Sequence, residues 1–181
     1  MTVLLFLGAA AWLGALLYDA AEGLRRQAIP AAAEAPSPLR GVAVRRERAV
    51  EPIPGGQDGK RLRGRGVYFA ACDGYETLSP EMLASLDAET LDALLSRPPG
   101  EQASARIVED TAWYYAALLA GGDAPEPGPC RLRFQGFEGA VQARLLSVRE
   151  EGGRCLLVFR LTEGGDYLKL RFAEAEIEIS G

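Results

Sequence analysis

The chain has 181 residues with 48% apolar content, which allows one domain, or one domain with extensions, and a real core. It contains no histidine, which excludes Ser-His-Asp and Cys-His catalysis, histidine-ligated zinc and a histidine general base. The net charge of -5 is unevenly placed: Glu22 to Gly66 carries ten Lys/Arg against five Asp/Glu, and Val67 to Gly181 ten against nineteen. An acidic C-terminal part argues against a nucleic-acid surface there.

Val3 to Tyr18 is an uninterrupted apolar run, closed by Asp19, Glu22, Arg25 and Arg26. A bilayer core of about 30 Å needs roughly 20 apolar residues, with about 17 as the practical minimum, and the run stands at that limit. The favoured reading of 1–21 is a transmembrane or signal-anchor helix, with Trp12 and Tyr18 toward the interfaces. A cleaved signal peptide and a buried helix compete with it; the first lacks a charged n-region and a good cleavage site. Arg25 and Arg26 come after the run and no Lys or Arg precedes it. The positive-inside rule alone therefore puts the C-terminal part in the cytoplasm.

Residues 22–65 read as an extended basic, Pro-rich linker. Ala28 to Pro38 is Ala/Pro-rich. Gly41 to Val50 alternates briefly and predicts one strand. Pro52 to Gly59 is a turn cluster. Lys60 to Arg65 is a basic run that reads as a solvated loop, or as a contact with anionic headgroups if a membrane is near.

Residues 66–104 predict a strand and two short helices. Gly66 to Cys72 is the strand, ended by the turn pair Asp73-Gly74. Ser79 with Pro80, and Asp87 with Glu89, are helix-start signals. Leu91, Leu94 and Leu95 form an apolar stripe at helical spacing, and Arg97-Pro-Pro-Gly100 stops the second helix.

Residues 105–181 predict about six short strands in a small closed or half-closed antiparallel barrel. Ala105 to Glu109 and Ala112 to Leu119 come first, and the second is apolar on both faces, as an interior strand must be. Cys130 to Phe134, Val141 to Leu146 and Cys155 to Leu161 alternate. Glu150 to Gly153 makes a hairpin turn. Tyr167 to Phe172 and Ala175 to Ile179 close the set, with Glu174, Glu176 and Glu178 on a wet face. The fold class expected is thus mainly β with short helices: an antiparallel β-barrel module plus an N-terminal transmembrane helix.

Chemistry-bearing groups are few. Asp73 and Glu76 flank a turn, where turn formation and capping explain them better than acid–base work. Glu109 and Asp110 read the same way. Cys72, Cys130 and Cys155 are odd in number and form no CxxC pair. A Cys130–Cys155 disulfide is open to the chain, but small apolar residues on strands are the plainer reading. Cys72 beside Asp73 has no base to activate its thiol. Trp113, Tyr114 and Tyr115 are the one weak ligand or partner surface. They suit either a stacking cleft in a ligand-binding barrel or the core, and the core is favoured. No catalytic, cofactor-binding or metal-binding set is expected, and no cofactor.

One resemblance spans most of these segments. It runs through the short N-terminal apolar stretch, Gly41-Val-Ala-Val-Arg-Arg-Glu47, and Gly66-Val-Tyr-Phe-Ala-Ala-Cys-Asp-Gly-Tyr-Glu76. It continues in Leu78 to Leu83, Arg106 to Leu118 and the terminal strands. In this order the chain resembles the hemolysin-D-type periplasmic adaptor, or membrane fusion protein, family in its Gram-positive variant. The resemblance implies a non-enzymatic adaptor, single-pass in the cell membrane, with the bulk of the chain extracytoplasmic. It also implies a lipoyl-like β-module, a β-barrel, a transporter or envelope partner in an efflux or secretion complex, and homo-oligomers. Gly66 to Tyr75 would be a lipoyl-like remnant. Between Val50 and Gly66 only about fifteen residues stand where full members carry a second lipoyl half and often a coiled coil. The chain therefore reads as a minimal or truncated member. On this analogy the barrel is placed outside the cytoplasm, against the charge rule.

Overall fold

The computed structural model describes residues 38–64, 66–97, 100, 104–109, 112–121, 124–162 and 164–179. The strands are β1 Leu39–Val44, β2 Glu47–Val50, β3 Lys60–Leu62, β4 Gly66–Phe69, β5 Ala105–Val108, β6 Trp113–Ala120, β7 Gly128–Phe134, β8 Val141–Glu151, β9 Arg154–Leu161 and β10 Phe172–Ile179. Helix α1 spans Ala88–Ser96, and 3-10 turns occupy Pro80–Ala84 and Gly165–Lys169. The protein is mainly β. Six strands form a closed antiparallel barrel in the order β1-β10-β7-β8-β9-β6, and the other four form a sheet in the order β2-β5-β4-β3.

Strand alternation fills the barrel. Trp113, Tyr115, Ala117 and Leu119 of β6 point inward, where they meet Leu132 and Phe134 of β7, Leu145 of β8, and Leu157, Phe159 and Leu161 of β9. The interior is a packed core of bulky side chains, as small barrels allow. The other face of β6 is apolar for a separate reason. Ala116 and Leu118 join Val42 and Val44 of β1 and Leu156 and Val158 of β9 beneath Leu78, Leu83, Leu86 and Leu91 of the helical connector. The connector is thus a lid on one wall of the barrel, and it turns β6 and β9 into two-sided strands.

Two local devices seat that lid. Asp87 caps α1 by accepting from the Thr90 N–H at 2.7 Å. A bulge in β8 between Leu145 and Ser147 inserts Leu146 opposite no partner. The inserted residue reverses the alternation, so Arg149 points to the connector. There it donates to the carbonyls of Leu83 (3.3 Å) and Leu86. Two residues on, Glu151 accepts from the Ala88 N–H at 2.7 Å, at the start of α1. The β8–β9 turn is Gly152-Gly153 with φ of 60° and 76°, both in the left-handed region that a two-residue hairpin of right-handed twist requires.

The structure redraws several expectations. The 22–65 stretch is not all linker, because β1 from within it closes the barrel against β6 and β10. The single strand expected over Gly41 to Val50 is two strands broken at Arg45-Arg46, and β2 belongs to the second sheet. Ala105–Val108 also lies outside the barrel, paired between β2 and β4 and buried along its whole length. Tyr167 to Lys169 lies in a 3-10 turn rather than a strand. Gly164 and Gly165 start that turn, and it seats Leu168 against Val67, Phe69 and Val108. Ser79 makes no capping hydrogen bond, and its segment is a single 3-10 turn. Among the described residues no helix is long and apolar enough to cross a membrane. The Val3 to Tyr18 run lies outside the described residues.

Candidate functional site

Where the barrel meets the four-stranded sheet, five charged side chains converge. Arg45 links β1 to β2, Glu47 begins β2, Asp73 lies in the loop after β4, Arg106 sits within β5, and Arg171 immediately precedes β10. Arg171 holds two acids at once. Its Nη2 is 2.6 Å from Glu47 Oε1, its Nε donates to Asp73 Oδ2 at 2.8 Å, and its Nη1 donates to the Ala43 carbonyl at 3.1 Å. Arg106 Nη1 bonds the same Asp73 oxygen and lies 3.4 Å from Glu47 Oε2 and 3.9 Å from Glu76 Oε1. Its guanidinium stands 5.3 Å from the centre of the Phe69 ring. Glu47 is thus held between the two guanidiniums. Arg45 donates to the carbonyls of Tyr167 and Leu170, with its guanidinium 4.5 Å from the Trp113 ring centre.

Burial and pairing set the charge states. Burial pushes Arg45 down to about 9, and the nearby charge of Arg171 adds to the effect. Burial raises the Glu47 carboxyl above its ordinary range, although Arg171 and Arg106 pull it back. Burial works on Asp73 in the same upward direction. There the hydrogen bond and charge of Arg171, together with those of Arg106, win, and the carboxyl stays below its ordinary range. The Arg171 guanidinium would be depressed by burial, but Glu47 and Asp73 hold it above its usual value.

Beside this cluster opens a shallow cleft of about 460 Å³, lined by Phe69, Cys72, Asp73, Arg106 and Lys169 among others. Cys72 is 2% exposed and donates its S–H to the Ala105 carbonyl at 3.1 Å. Burial and then the Glu76 charge push its thiol up to about 11, so it is protonated at neutral pH. Asp73 is ionised and locked between two guanidiniums. Both groups are taken up in contacts that hold segments of the chain together. Among the described residues no three or more Cys, Asp or Glu side chains converge as a metal site.

The weak surface read from Trp113, Tyr114 and Tyr115 does not form. Trp113 is 1% exposed and Tyr115 is fully buried, both inside the barrel. Tyr114 is half-buried on the opposite face, against the connector. Alternation along one strand separates it from its neighbours, so no aromatic cleft can use all three. Tyr115 donates its hydroxyl to the Ala173 carbonyl at 2.8 Å, with Leu39 O 3.2 Å away.

The Asp73 turn reading holds alongside the new role. Oδ1 accepts from the Tyr75 N–H, Glu76 Oε1 accepts from the Asp73 N–H, and Oδ2 is left for the arginines. Glu109 donates its N–H to Arg46 O at 2.8 Å, and Asp110 lies outside the described residues. Cys130 and Cys155 are free thiols on β7 and β9, separated by β8. Glu176 and Glu178 stand opposite Arg133 and Arg131, and Glu178 pairs with Arg133 at 2.6 Å.

Nothing in the sequence joins the Arg45–Glu47 stretch to Arg106 and Arg171, which lie far along the chain. The available signal was an arginine between Ala105 and Ile107 in a strand otherwise apolar and buried throughout. Comparison with protein-family models, curated proteins and solved structures returned no match to the chain.

Proposed function

We propose that this chain is a membrane-anchored, extracytoplasmic adaptor, a non-enzymatic scaffold subunit of an efflux or secretion-type transporter complex. The observation that carries the reading is the charged junction. Five buried or nearly buried groups from four separate stretches of chain are consumed in fixing one sheet against the end of a filled barrel. Such a junction would fix the angle between the two sheets, which suits a scaffold. Buried ionic networks are costly to desolvate, and specifying geometry is the role proposed for this one. The apolar run from Val3 to Tyr18 supplies the anchor, and the Ala/Pro-rich segment behind it a spacer. The order of segments in the sequence resembles that of the hemolysin-D-type adaptors, in which Gly66 to Tyr75 would be a lipoyl-like remnant.

The test is in-cell crosslinking and then purification of the tagged full chain from detergent-solubilised membranes. An integral membrane transporter is expected in the crosslinked product. Recovery of soluble metabolic enzymes alone, with no membrane protein, contradicts the proposal.

A further inference from the structure

The four-stranded sheet has one face turned to the barrel and one turned away, and the outer face is basic. Directly opposed residues of an antiparallel sheet share a face. Arg48 lies opposite Ile107, Ile107 opposite Tyr68, and Tyr68 opposite Lys60. The outer face therefore has an exposed cation at each edge and a buried aliphatic and aromatic centre. The loop from Pro52 to Gly59 runs beneath that centre. The Tyr68 hydroxyl accepts from the Ile53 N–H at 3.1 Å, and a side chain on Gly56 would strike the Tyr68 ring at 2.6 Å. Ile53 sits on the outside of this loop, 41% exposed, between two prolines. Arg63, in the β3–β4 turn, is exposed as well. Glu51 and Asp58 are the acids of this end, and Asp58 is engaged by the Ala70 N–H.

A rim of cations around one projecting aliphatic side chain is the pattern of a surface that sits on anionic lipid. We infer that the outer face of the β2-β5-β4-β3 sheet docks on anionic headgroups, with Ile53 at the interface and the barrel pointing away. This rests on the membrane-anchor reading in one respect only. A tether makes a weak docking contact intramolecular. The twenty residues from Asp19 to Pro38 span roughly 65 Å when extended, enough for the face to reach the bilayer.

The experiment reconstitutes the full chain carrying Ile53→Trp into vesicles of phosphatidylcholine alone or phosphatidylcholine with phosphatidylglycerol, each with a headgroup spin label. Emission is compared with that of the wild-type chain, and flotation is measured in parallel. The expected result is quenching of the added tryptophan in the anionic vesicles alone. That quenching is lost near 1 M salt, where the screening length is about 3 Å, and lost in Arg48→Glu/Lys60→Glu. The salt arm does not depend on the folding of the charge-reversed variant. Flotation with both vesicle types without quenching overturns the docking face and leaves the anchor standing. Equal quenching in both vesicle types overturns it too, since charge then plays no part. Salt-reversible flotation with anionic vesicles only, accompanied by quenching, supports the face and removes the anchor. No flotation with either overturns both.

Discussion

Arg171 and Glu47 meet at 2.6 Å, and through them the last strand of the barrel grips the first strand of the second sheet. The contact is long in sequence and deep in the fold, so its two partners are not equivalent to surface ions. Removing one partner of such a pair strands a buried charge at a cost of about 3–5 kcal/mol. Arg171→Met should therefore lower the melting temperature sharply. Arg171→Met with Glu47→Leu should recover part of the loss. A double variant as unstable as the sum of the two singles would mean that the pair is not coupled.

Asp73 predicts an acid limb of known sign. Its folded carboxyl titrates below the ordinary carboxylate range because Arg171 and Arg106 outweigh burial. Its stabilisation is complete above the unfolded value of about 3.9 and is lost as pH falls through the depressed folded value. Denaturant melts of wild type and Asp73→Asn should differ by a constant amount from pH 5 to neutral and converge below about pH 4. Glu47 acts with opposite sign, since its folded carboxyl is raised. Glu47→Gln should not reproduce the convergence. A difference for Asp73→Asn that is flat to the acid end would show that the carboxylate charge plays no part.

Gly41 and Tyr115 predict a steric conflict. A Cβ on Gly41 would lie 2.5 Å from the Ala116 carbonyl oxygen and 2.6 Å from the Tyr115 ring. Gly41→Ala should lose about 1–3 kcal/mol through overpacking, because Tyr115 is buried and its hydroxyl is bonded across the barrel seam. Calorimetry measures it. An unchanged melting temperature would mean that β1 does not lie where the closed barrel requires.

The β8 bulge predicts a local effect. Deleting Leu146 keeps every pairing from Ser147 onward, so Val148 stays in the interior and Arg149 stays on the connector side. Arg149→Ala instead removes the contacts with the Leu83 and Leu86 carbonyls. Amide exchange in α1 should then speed up far more than in β7. Uniform protection in Arg149→Ala would contradict the link between Arg149 and the connector.

Much of the barrel was legible because its strands obey the two-residue period. Leu132 and Phe134 alternate with arginines, and Gly152-Gly153 marks the hairpin. β6 reads apolar on both faces because one covers the barrel core and the other is covered by α1. What could not be read was membership. β1 and β5 are short, and which sheet each joins is decided by Arg45 turning inward over Trp113 and by Arg106 reaching Asp73. Those contacts pair residues far apart in the chain, and no local pattern encodes them. The 3-10 turn at Gly165–Lys169 was missed because its apolar residues mimic a strand over so short a span.

The central claim is that a greasy N-terminal segment tethers a rigid two-sheet scaffold outside the cytoplasm. Protease treatment of intact protoplasts expressing the full chain, with fractionation and immunoblotting for a C-terminal tag, tests it most directly. The account predicts that the protein sediments with membranes and that the tag is removed by external protease. A protein recovered in the soluble cytoplasmic fraction, with its tag untouched until the cells are lysed, would contradict it.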